Sequence, residues 1–158
     1  MNAIVIGVGN RFHRDDGVGP AVADLLASAD GVEVAESDGE ATALINLWTG
    51  RRLAVLVDAV RAEPSHPGRI HRLALVNPPG ERSRAASSHG LDLGDTVELA
   101  RVLGRLPDRM VIYAVEAADT GFGVGLTPAV AAAAQHLAEE ITAELTAEIT
   151  AEARVPAA

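Results

Sequence analysis

There is no cysteine in the chain. This excludes a thiol nucleophile, a thiolate metal site and a disulfide frame. Aromatic residues make up only 3% of the 158 residues, while 48% are hydrophobic, so the core must be built from Val, Leu, Ile and Ala. Positive charge is also scarce. Lys and Arg total 13 against 22 Asp and Glu, and the formal net charge of −9 argues against nucleic-acid or anionic-membrane partners. No segment approaches the roughly 20 apolar residues that span a bilayer. The first apolar run is too short for a signal sequence and leads straight into charged residues, so a cytoplasmic protein is expected. The length suits one domain able to bury a real core.

The first turn of the chain is its richest stretch. Ala3-Ile-Val-Ile-Gly-Val-Gly-Asn10 is followed at once by Arg11-Phe-His-Arg-Asp-Asp-Gly-Val-Gly19. A continuous apolar run bounded by glycine reads as a strand buried on both faces, as in a parallel sheet. A phosphate-binding loop at this place would offer backbone N–H groups to an anion. Here the loop offers Asp15 and Asp16. Carboxylates repel phosphate and attract cations, which points to a metal rather than a nucleotide. A dinucleotide fingerprint would need a third glycine where Phe12 stands, although Glu36 and Asp38 lie near the distance of a ribose-binding acid. Asp15 and Asp16 can also serve simply to favour the positive end of a helix.

Strands and helices alternate along the rest. Strands are expected near 3–8, 32–36, 53–57, 69–76 and 110–115, with helices near 18–28, 41–49, 92–103 and from Pro128 onward. This order predicts a three-layer α/β/α sandwich with a five-stranded, mostly parallel sheet. Only residues 59–67, with Pro64 and Pro67, separate the third strand from the fourth. Parallel crossovers need a dozen residues or more, so the fourth strand should be antiparallel and lie at an edge. Residues 1–140 then form the catalytic domain, and 141–158 a helical extension with a frayed tail. The tail repeats Glu140-Ile-Thr-Ala, Glu144-Leu-Thr-Ala and Glu148-Ile-Thr-Ala. Its period of four drifts about 40° per repeat around a helix, and its glutamates repel without an offsetting lysine.

Right-handed crossovers place the second strand on one side of the first and the third on the other. The topological switch point then lies between strands one and three, where open α/β sheets bind ligands. Asp16 follows strand one, and Asp58 ends strand three. His89, in Ser87-Ser-His-Gly-Leu91, lies in the loop feeding the third helix. Two carboxylates and an imidazole suit a borderline divalent ion such as nickel or zinc. The bland alternative for Asp58 is a carboxylate capping a turn. His13, His66, His71 and His136 lack such company and read as surface residues. Serine chemistry is disfavoured, because Ser88 and His89 are sequence neighbours and no Gly-x-Ser-x-Gly elbow is present.

Four motifs together carry a resemblance. Ile6-Gly-Val-Gly-Asn10 with Asp15-Asp-Gly-Val-Gly19, Val57-Asp-Ala-Val60, Ser88-His-Gly-Leu91, and Val115-Glu-Ala-Ala-Asp119 with Gly121-Phe-Gly-Val-Gly-Leu-Thr-Pro128 occur in order along almost the whole chain. The set resembles the hydrogenase maturation endopeptidases, which trim the large subunit of nickel–iron hydrogenases. The resemblance implies that Asp16, Asp58 and His89 contact a metal, the nickel already installed in the precursor. It implies that a C-terminal extension is cut from that precursor. The ion would polarise the scissile carbonyl or activate water, with Asp16 or Asp58 assisting proton transfer. Gly39, Gly90 and Gly121–Gly125 would let the extended tail approach the backbone. A monomer is expected. Two other readings use the same residues differently: a non-catalytic nickel-binding assembly factor, and a nucleotide-binding oxidoreductase module indifferent to Asp16 and Asp58.

Overall fold

A computed structural model describes residues 2–27, 32–76 and 92–154. The elements run β1 (Ala3–Val8), α1 (Val18–Leu26), β2 (Glu33–Ser37), α2 (Ala41–Trp48), β3 (Leu53–Val60), β4 (Ile70–Val76), α3 (Asp92–Leu103), β5 (Arg109–Glu116) and α4 (Pro128–Ala153). The sheet order is β2-β1-β3-β5-β4, with β4 antiparallel to β5 at one edge and the other pairings parallel. The short connection after β3 therefore makes the reversal that its length demands. The switch point between β1 and β3 is also present.

β1, the first five residues of β3 and nearly all of β5 are buried, which is why they read as unbroken apolar runs. Alternate residues feed two cores. Val5, Val55, Val57, Val111 and Tyr113 pack beneath α1 and α4. Ile4, Ile6, Leu56, Met110 and Ile112 pack beneath α2 and α3, where Trp48 is closed in and donates its indole N–H to the Arg105 carbonyl at 3.0 Å. The helices thus cover both faces, giving the expected three-layer sandwich.

Two expectations need correction. Asp58 does not end β3; the strand runs on to Val60, because β5 is long enough to pair with it through Asp58↔Ala114 and Val60↔Glu116. The chain also shows no break at residue 140. α4 is one helix from Pro128 to Ala153, and Ile141 and Leu145 are buried in the same core as β1, β3 and β5. The repulsion among the tail glutamates is offset by arginines distant in sequence. Arg72 meets Glu144 at 2.6 Å, Arg109 meets Glu148 at 2.5 Å, and Arg52 lies 3.7 Å from Glu148 and 3.6 Å from Glu152.

Candidate active site

The start of α1 is pressed directly onto the carboxyl ends of β1 and β3. A Cβ on Gly7 would fall 2.2 Å from the Gly19 carbonyl oxygen, and one on Gly19 would fall 2.4 Å from that of Val57 and 2.5 Å from that of Val8. No side chain fits between them, so the paired glycines set how closely the acidic loop sits over the switch point. A single 3₁₀ turn, Arg14–Gly17, carries Asp15 and Asp16 there, packed against β3.

The two acids have opposite surroundings. Asp15 is fully buried. Its carboxylate accepts the N–H groups of Ala118 (2.8 Å), Asp119 (3.1 Å) and Thr127 (2.7 Å), and the Thr127 hydroxyl at 2.8 Å. Burial alone would raise its pKa, but the hydrogen bonds from Thr127, Ala118 and Asp119 outweigh this and hold it below the usual carboxylate range. Asp15 is therefore a tether binding the first loop to the loop before α4. Asp16 is only partly buried, and its carboxylate accepts the Asn10 N–H at 3.0 Å. The Asp16 carbonyl receives the same N–H at 3.2 Å, which closes the loop on itself.

Asp58 is half-buried on β3, and its carboxylate accepts the Ala59 N–H at 2.8 Å. By strand alternation it shares the face of Leu56, the face covered by α2 and α3. The structure thus brings Asp16 and Asp58 to the carboxyl ends of adjacent strands. His89 lies outside the described residues, three positions before Asp92, where α3 begins. Gly90 lies outside them too. Among the described residues, no group of three or more His, Asp or Glu is gathered tightly enough to hold a metal ion by itself.

An open cavity of about 560 Å³ adjoins this crevice, its wall drawn from the segments 61–65 and 117–121 that follow β3 and β5. A buried carboxylate fastens that wall. Glu116, 3% exposed, accepts the His66 N–H at 2.8 Å and lies 2.7 Å from His71 Nε2. The His66 N–H and then His71 hold its carboxyl below the usual range. Ser65 Oγ donates to the Ala117 carbonyl at 2.9 Å. Neither the tether nor this clasp was legible from residue spacing, since both depend on backbone groups remote in sequence. His71 is exposed as expected, yet it serves the clasp. His13 is half-buried, and its ring stacks on Phe122 at 5.0 Å between centroids.

Of the two acids that the dinucleotide reading offered, Glu36 is ion-paired with Arg11, which also grips Asp24 at 2.8 Å. The profile of the hydrogenase maturation proteases matches residues 23–144. The chain belongs to that family. The protease is 26% identical over 136 residues to the hydrogenase 2 maturation protease of Escherichia coli K12, covering 84% of this chain and 83% of that one. Its fold matches the hydrogenase-maturating endopeptidase HybD of Escherichia coli with a TM-score of 0.75, at 24% identity and 94% coverage of both chains. The [NiFe] hydrogenase maturation protease HybD of Thermococcus kodakarensis matches with a TM-score of 0.70 and 25% identity, over 92% of this protease and 99% of that chain. The protease is accordingly an endopeptidase of hydrogenase maturation that acts on a hydrogenase precursor.

Proposed function

We propose that the protease removes a C-terminal extension from the precursor of a nickel–iron hydrogenase large subunit, with Asp16, Asp58 and His89 contacting the nickel that the precursor already carries. The observation supporting this is the placement of Asp16 and Asp58 at the carboxyl ends of two adjacent strands, on a loop and a strand that packing holds in place. Two carboxylates with an imidazole are a suitable donor set for a borderline divalent ion. Asp15 is unsuited to the role, because both of its oxygens accept protein hydrogen bonds. When held there, the ion would supply electrophilic chemistry toward the scissile carbonyl or a water. Asp16 or Asp58 accepts the proton that the attacking water loses. As the C–N bond breaks, that proton passes to the leaving amine, leaving a carboxylate on the trimmed subunit and a free amino group on the extension. The cavity beside the crevice gives the extended tail a place to lie.

The test is Asp16→Asn, Asp58→Asn and His89→Ala, each co-expressed with the precursor, whose C-terminus is read by mass spectrometry. Trimming should be lost in all three while the proteins stay folded, and nickel-free precursor should remain uncut by the unaltered protease. Normal trimming by any variant removes that residue from the site. Normal trimming of nickel-free precursor would overturn the role of the metal.

A further inference from the structure

The chain has four aromatic residues, two of them phenylalanine. Trp48 and Tyr113 are buried, whereas Phe12 is 64% and Phe122 83% exposed. Val124, beside Phe122, is 71% exposed. In a protein so poor in aromatics, both phenylalanines stand in solvent on one ridge. The ridge is not a loose loop. The Arg14 N–H donates to the Gly123 carbonyl and the Gly123 N–H to the Phe12 carbonyl, both at 2.9 Å. His13 stacks beneath Phe122, and the Arg14 guanidinium lies 2.8 Å from where a Cβ on Gly123 would be. The Asp15 tether ties the same two loops together from below.

An apolar surface held rigid in water marks an interaction site, because its ordering entropy is spent before a partner arrives. Its position indicates which partner. Phe12 is four residues from Asp16, within roughly 14 Å along even a fully extended chain, and the ridge and Asp16 belong to one hydrogen-bonded unit. A precursor that places a peptide bond against Asp16 and Asp58 therefore comes within that distance of the ridge. Two arginines stand at the ridge although the chain is acidic. Arg14 lies across the ridge, and Arg61 donates to Thr120 Oγ1 at 2.6 Å just behind it.

We propose that this ridge is the docking surface for the body of the hydrogenase precursor, seating in an apolar patch rimmed by carboxylates while the crevice takes the C-terminal segment. This rests on the reading that the precursor is cut beside Asp16 and Asp58. The test measures the Kd of purified nickel-loaded precursor for the unaltered protease and for a Phe12→Ser/Phe122→Ser double variant. Val124→Asp is included because it sets a carboxylate against the carboxylates that rim the precursor's patch. Val102→Ser is the control, 69% exposed near the end of α3, which leads into the opposite end of the sheet. Circular dichroism and thermal unfolding of each variant confirm the fold. The double variant and Val124→Asp should each weaken binding at least tenfold, with a parallel rise in KM for trimming, while Val102→Ser leaves Kd unaltered. Kd values within twofold of the unaltered protease would overturn the proposal. So would a dimer that the double variant dissociates with precursor affinity unchanged, since the ridge would then bind a second copy. Kd is read separately from trimming, so the ridge is judged even if Asp16→Asn and Asp58→Asn trim normally and the metal reading fails.

Discussion

Asp15 and Asp16 are neighbours with different tasks. The sequence shows an acid pair in a loop and nothing that separates its members, because the groups satisfying Asp15 are backbone amides more than a hundred residues away. Asp15→Ala removes the acceptor for several buried donors at once. It should destabilise the fold by about 2–4 kcal/mol, within the range for leaving buried polar groups unsatisfied, and denaturant unfolding measures it. The Asp15 pKa is depressed on folding, so its contribution is present at neutral pH and is lost as pH falls through the folded value, under the usual carboxylate range. Asp15→Asn should therefore flatten the acid limb of the stability curve.

At the scale of elements, β1, β3 and β5 were legible because burial on both faces leaves an unbroken apolar run, and the antiparallel β4 was legible from the short connection before it. The end of β3 was not. An aspartate in a strand looks like a terminus unless one knows that β5 continues beside it. α4 was underestimated for a related reason: its period-four glutamates face an arginine just before β3 and others from β4 and β5, which no local pattern reveals. Such half-exposed pairs contribute little individually, about 0–1 kcal/mol. Ile141 and Leu145 matter more, at about 1.5–3 kcal/mol each when fully buried. Deleting residues 141–158 should consequently cost a large share of a typical stability of about 5–15 kcal/mol, and calorimetry should show a much lower Tm or no cooperative transition. The same packing can be followed optically. Tyr113, the chain's sole tyrosine, is pushed up to about 12 by burial and by its 2.6 Å hydrogen bond to Glu144. Glu144→Gln should bring its ultraviolet titration midpoint back toward 10, the model value. An unmoved midpoint would show that the pair does not form.

For the whole molecule, the order β2-β1-β3-β5-β4 puts the least buried strands at the edges and the most buried in the middle. Native-state hydrogen exchange should reach the global unfolding free energy in β1, β3 and β5, while β2 and β4 open at lower cost. Uniform protection across all five strands would contradict this. No helix among the described residues is long and apolar enough to cross a membrane.

The Asp15 tether also sets the order in which this enzyme can come into being during synthesis. The motif bearing Asp16 leaves the ribosome well before the amides that anchor its neighbour, which follow 103 and more residues later. At translation rates of about 5–20 residues per second, that delay is on the order of 5–20 s. In the later part of that delay, once Asp58 has been made, the nascent chain carries both aspartates with the first loop still unanchored. Cutting competence arrives late, only when β5 and the first turn of α4 have been made.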